Sequence, residues 1–136
     1  MEDYICRCSV TRIKDKPMKK LIFAILFGLS LMSVKAQSCE EFMSFVKNES
    51  YGSSFYSYTS DAISYVTFYD VLIDYQYYYF AIVCFKNDYS GCSEYIYQVG
   101  SNTKSNYSMS YLSSAGKAFW KHIQPYNNVL GCAPNF

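Results

Sequence analysis

Few side chains after Gln37 could carry chemistry: four cysteines (Cys39, Cys84, Cys92 and Cys132), one histidine (His122) and 15 tyrosines. His122 stands near Lys117 and Lys121. A general base needs a partner that orients it and a cleft that holds substrate. The local sequence offers neither, so the expectation is an ordinary surface histidine. A small secreted hydrolase using His122 and nearby carboxylates is the competing reading. A zinc site would need more than one His or a Cys-x-x-Cys pair, and neither occurs. Thiol catalysis lacks its distinctive sequence context, no Gly-x-Ser-x-Gly is present, and no cofactor motif appears. An even number of cysteines in a small exported domain points instead to two disulfides.

The stretch that positions two of those cysteines is Tyr75 to Val99. Tyr77 to Phe85 is nearly all aromatic or β-branched, and Cys92 to Val99 repeats that character beyond the polar run Lys86 to Gly91. This predicts a β-hairpin. Side chains alternate across a strand, so Val83 and Phe85 share one face, and Tyr95, Tyr97 and Val99 share one. With these on the core side, Cys84 and Cys92 both point the other way, side by side, which predicts the pair Cys84–Cys92. Cys39–Cys132 follows by elimination. The same parity puts Tyr78 on the outer face with Cys84. Tyr78, with Tyr89 in the hairpin loop, is a candidate ligand contact.

The start of the chain reads as a leader. Met18-Lys19-Lys20, the apolar run from Leu21 to Val34 and the small exit Val34-Lys35-Ala36 form a secretory signal pattern over residues 18–36, with cleavage expected after Ala36. Residues 1–17 precede an already complete signal, so Met18 is the expected start. The uninterrupted apolar run is short for a bilayer span of roughly 20 residues. A retained anchor, or lipidation at Cys39, is the alternative. Beyond Ala36 the chain has 5 Lys, no Arg and 8 carboxylates, net −3. A phosphate-tracking surface needs clustered basic side chains, with Arg favoured for bidentate contacts, so nucleic acid is not an expected partner.

The remaining elements complete an α+β domain over residues 37–136. Ser38-Cys39-Glu40-Glu41 is a capping-box pattern, and Cys39, Phe42, Met43 and Val46 recur at helical spacing, predicting a helix to about Lys47 or Asn48. Ser53 to Ser60 reads as loop or ragged edge strand. Asp61 to Tyr69 contains a strand with no clearly polar face, and Asp70 to Asp74 is a tight connection or strand extension. Two short helices are expected after Val99, one carrying Tyr107, Tyr111, Leu112 and Ala115, the second capped by Ser114 and closed by Pro125. The expected architecture is an N-terminal helix, a three- or four-stranded antiparallel sheet and two C-terminal helices, stapled by disulfides.

With these residues in view, the region from about 60 to 126 resembles the KTSC domain, a small module named for the C-terminal region of certain lysyl-tRNA synthetases and also found alone. The resemblance is carried by Ser60-Asp-Ala-Ile63, the strand ending Val83-Cys-Phe85, the Tyr95-Ile-Tyr97 pair, and Ser114-Ala-Gly116-Lys-Ala-Phe119 followed by Ile123 and Tyr126. The added helix, the cysteines, a longer hairpin loop and the lack of Pro after Val99 depart from the pattern. The resemblance implies a small α+β fold and transfers no activity. Tyrosine with Ser and Asn is the composition of adaptable recognition surfaces. The expected function is therefore an exported, non-enzymatic binding or structural module whose partner is a protein or peptide.

Overall fold

A computed structural model describes residues 38–136, apart from 90 and 135. The leader, its cleavage point and residues 1–17 lie outside the described residues. Helix α1 (Cys39–Glu49) begins on the predicted capping box: Ser38 Oγ accepts from the Glu41 N–H, and the Glu41 carboxylate accepts from the Ser38 N–H. Four strands follow, β1 (Ser53–Tyr56), β2 (Ile63–Ile73), β3 (Gln76–Lys86) and β4 (Cys92–Val99). They form one antiparallel sheet in the order β1-β2-β3-β4. Helices α2 (Thr103–Ser110) and α3 (Ala115–His122), a 3-10 turn (Gln124–Tyr126) and the short α4 (Asn127–Leu130) complete the chain.

The ambiguous Ser53 to Ser60 stretch is the edge strand β1 and the loop after it, and Asp70 to Ile73 continues β2 up to a two-residue turn. In that turn Asp74 and Tyr75 have φ of 49° and 64°. Positive φ at both central residues is the primed turn whose twist matches the strands it joins. The predicted helix around Tyr107 starts earlier, at Thr103, and stops at Ser110, which leaves Leu112 on the surface. Ser114 caps α3 as expected, accepting from the Lys117 N–H.

Both faces of the sheet are covered, over different parts. On one face Val66, Phe68, Ala81, Val83, Tyr97 and Val99 meet Tyr107 of α2 and Ala115, Ala118, Phe119 and Ile123 of α3 and its cap. On the other, Val71, Phe80, Ile82 and Ile96 lie under Met43 and Val46 of α1. The expectation that Tyr78 and Cys84 point to an outer face is corrected here. Helix α1 carries an apolar stripe that must be buried, each such side chain contributing about 1.5–3 kcal/mol, and this face is where it goes. Tyr78 does share a face with Cys84, but it is half-buried against this second core, and Cys84 is fully buried.

The two disulfides join Cys39 to Cys132 and Cys84 to Cys92, with Cα–Cα distances of 5.6 and 5.4 Å. The chain leaves α3 on one face of the sheet, packs the 3-10 turn and α4 against β4, and reaches the other face, where Leu130 and Cys132 join the α1 cluster. Gly131, at φ 67°, makes the left-handed turn before Cys132. The long crosslink thus fastens the last turn of chain to the first residue of α1.

Candidate functional site: the free side of β1

The sheet has two end strands, and among the described residues only one of them is wrapped. Strand β4 carries the 3-10 turn and α4 along it, whereas β1 has β2 as its one extensive neighbour among the described residues. The backbone geometry states which groups are left over. Ser57 N–H donates to the Ser64 carbonyl at 2.8 Å, immediately beyond the pair Tyr56↔Tyr65. Hydrogen-bonding direction alternates along an antiparallel strand. Ser53 and Phe55 therefore face β2, and the N–H and C=O groups of Ser54 and Tyr56 project from the free side. Edge strands are commonly protected by Lys, Pro or a bulge, and Ser-Ser-Phe-Tyr has none of these.

Aromatic side chains rim this edge on both faces. On the α1 side, Tyr56 and Tyr58 stack with ring centroids 6.4 Å apart and 19° between planes, and Tyr65 tilts against Tyr56 at 5.5 Å. Tyr65 is fixed in turn: its hydroxyl donates to Glu94 at 3.0 Å, and the same carboxylate is held by Lys47 of α1. Burial, then the hydrogen bond to Glu94, raises the Tyr65 pKa above the ordinary phenol value. Tyr69, farther along β2, is also raised by burial, with Lys47 opposing. On the other side Phe55 meets Tyr111 edge-on at 5.2 Å, and Tyr111 stacks on Tyr107 at 5.7 Å. Tyr56, Ser57, Tyr58, Thr59, Tyr111 and Leu112 line a groove of about 190 Å³ along this edge. Tyr56, Tyr58 and Leu112 are more than half exposed there.

A close approach sets the entry to β1. A Cβ on Gly52 would lie 2.7 Å from the Tyr69 ring, so only glycine lets the chain descend from α1 across Tyr69 and Thr67 onto the sheet edge. Ser54 and Thr67 then share a hydroxyl hydrogen bond of 2.8 Å across the first pair of strands.

The residues singled out from sequence are distributed differently. Tyr78 and Tyr89 lie at opposite ends of β3: Tyr78 is half-buried near its start, and Tyr89 is exposed in the β3–β4 loop. They form no common surface. Tyr97 is buried and Tyr95 half-buried on the face of Val83, with Tyr97 edge-on to Phe119 at 5.7 Å. Burial raises the Tyr97 pKa. Ser114 and Gly116 open α3 at the far end of the groove. No protein-family model, curated protein or solved structure matches the chain.

His122 ends α3, half-buried, with its pKa lowered first by burial and then by Lys121. No hydrogen bond or ion pair joins it to a carboxylate among the described residues. Nor does any group of three His, Cys, Asp or Glu there have metal-site geometry. No described helix is long and apolar enough to cross a membrane. Sequence reasoning missed Tyr56, Tyr58 and Tyr65 as a set. The available signal was their common parity with Ser54 and Thr67, which becomes readable only once β1 is known to be a strand.

Proposed function

We propose that this chain is an exported, non-enzymatic binding module that takes an extended peptide segment on the free side of β1. The observation that carries the reading is the open edge itself, with backbone groups of Ser54 and Tyr56 unpaired by β2 and aromatic side chains on both sides of them. Strand addition draws affinity from main-chain hydrogen bonds and selectivity from side-chain pockets on alternate faces. The groove lined by Tyr56, Tyr58, Tyr111 and Leu112 is such a pocket, at the C-terminal end of β1. Rigid tyrosines give contact area at low entropic cost. Export is supported by the signal pattern over residues 18–36 and by two disulfides in a domain of this size. The KTSC-like residues belong to the same proposal as a relationship of fold, with no activity attached.

The test is titration of the oxidised protein with random heptapeptides, followed by two variants on the best binder. Ser54→Pro removes one outward N–H and leaves the β2 ladder intact, which an edge strand tolerates. It should abolish binding with the fold preserved, and Tyr58→Ala should weaken it by about tenfold, as for a central aromatic contact. Unchanged affinity in both variants would place the contact elsewhere.

A further inference from the structure

The charges of this domain are divided along the chain. Residues 37–99 hold all eight carboxylate side chains and two lysines, net −6, whereas residues 100–136 hold three lysines and no Asp or Glu, net +3. The fold turns that division in sequence into one in space. Tyr107 of α2 and Ala115, Ala118, Phe119 and Ile123 of α3 and its cap all pack on one face of the sheet, so the opposite sides of both helices look outward from one layer. Lys104, in the first turn of α2, is paired with Asp70 of β2 at 3.4 Å. Lys117 and Lys121 form no ion pair among the described residues, and they stand four apart on α3, where like charges repel. With Ser110, Ser113 and Ser114 they line a hollow of about 190 Å³ between α3 and the end of α2. Apolar side chains share the layer. By helical spacing Trp120 lies with Lys117 and Lys121 on the side of α3 opposite Ala115, Phe119 and Ile123, and it is 53% exposed. Phe136 packs on the Trp120 ring at 5.5 Å while remaining 70% exposed, and Met109 of α2 is 78% exposed.

We propose that the outer face of α2 and α3 docks on an anionic lipid bilayer, with Lys117 and Lys121 at the headgroup phosphates and Trp120 and Met109 in the interface. Lysine stems cover apolar surface while their ammonium groups stay among polar ones, and tryptophan favours the boundary between headgroups and acyl chains. A polyanion in water, such as a nucleic acid or an acidic polysaccharide, would use the two lysines but offer Trp120 and Met109 no apolar phase, so the bilayer is the occupant that uses both kinds of side chain. Charge also sets the orientation. Glu40, Glu41 and Glu49 belong to α1, on the other face of the sheet, so an anionic surface attracts one face and repels the other. The β1 edge lies between the two faces and stays free, which makes this docking independent of the peptide reading. Asp61, which lines a hollow with Ser114 and Gly116 at the start of α3, opposes the contact. Asp61→Asn should therefore strengthen it.

Trp120 is the chain's only tryptophan, so its fluorescence reports on this face alone. The oxidised protein is titrated with vesicles of equal parts phosphatidylglycerol and phosphatidylcholine, with vesicles of phosphatidylcholine, and with dextran sulfate. The anionic vesicles should bind it, shift Trp120 emission to the blue and lose their hold as salt is raised; the neutral vesicles should do neither. Lys117→Gln and Lys121→Gln should each weaken vesicle binding by about fivefold, and Met109→Ser by roughly threefold. These side chains are exposed or lie at the rim of an open hollow, and an unchanged melting temperature verifies that each variant is folded. Equal binding to neutral vesicles, no binding to either, lysine variants of unchanged affinity, or weaker binding in Asp61→Asn would overturn the proposal. Vesicle binding that leaves Trp120 emission unshifted would overturn it too, because the face would then not enter the interface. Lysine-dependent binding of dextran sulfate without vesicle binding would assign the face to a soluble polyanion instead.

Discussion

The two disulfides should differ in strength by nearly a factor of two, and the protein allows each to be measured alone. Cys39 and Cys132 are 93 residues apart in sequence, Cys84 and Cys92 only 8. If a crosslink acts by removing loop-closure entropy from the unfolded chain, the long one contributes ~4.7 kcal/mol and the short one ~2.5 kcal/mol. Direct comparison of cysteine variants would mislead. Cys84 is fully buried, so Cys84→Ala also costs core packing, whereas Cys39 is only half-buried. The remedy is to compare oxidised and reduced states within one variant. In Cys39→Ala/Cys132→Ala the change on reduction reports the short bond alone, and in Cys84→Ala/Cys92→Ala the long bond alone. Denaturant unfolding of all four samples gives the two differences with no substitution term. Equal differences, or a larger one for the hairpin bond, would refute the entropic account. Loss of both by reduction should also release α1 from the second core before the main sheet unfolds, visible as a separate transition.

Two further outcomes follow from particular residues. Tyr75 is fully exposed with φ of 64°, so Tyr75→Gly removes a left-handed penalty and no contact; stability should rise by about 0.5–1 kcal/mol, or roughly 2–8 °C for a domain of this size, measured by thermal melting against Tyr75→Ala, which should show no gain. Tyr107 is buried, and burial pushes its pKa up to about 12 against the opposing hydrogen bond with the Ser57 hydroxyl. The folded value is raised above the unfolded 10.0, so this contribution is whole below pH 10 and lost as pH rises toward 12. Tyr107→Phe should flatten that alkaline loss by up to about 1.4 kcal/mol per pH unit, and an unchanged pH profile would show that the phenol is not the cause.

Much of this fold was legible because its signals are local. The capping box at Ser38 and Glu41 and the cap at Ser114 each need only three or four residues to be read. Parity within one hairpin was enough to pair Cys84 with Cys92, and elimination then paired Cys39 with Cys132. What failed was the inference that the face opposite Val83 and Tyr97 is an outer one. Parity says which residues share a face, but not what covers it. The stripe of Met43 and Val46 on α1 and the buried Phe80, Ile82 and Ile96 are separated by more than thirty residues, and only the fold brings them together. The aromatic rim was illegible for a related reason. Ser53 to Tyr56 is a strand because Phe55 packs on Phe68, Tyr107 and Tyr111, a tertiary effect that its serine-rich sequence does not announce.

The most direct test of the β1 edge as a peptide-binding strand is amide hydrogen exchange at Ser54 and Tyr56, with and without a saturating heptapeptide selected for affinity to the oxidised protein. These two N–H groups project away from β2, so in the free protein they should exchange fast, while Phe55, paired with Val66, exchanges slowly. Bound peptide should slow Ser54 and Tyr56 by about tenfold or more as each gains a ladder hydrogen bond, with Phe55 little changed. Failure of every heptapeptide to bind, or tight binding that leaves Ser54 and Tyr56 exchanging as before, would contradict the account.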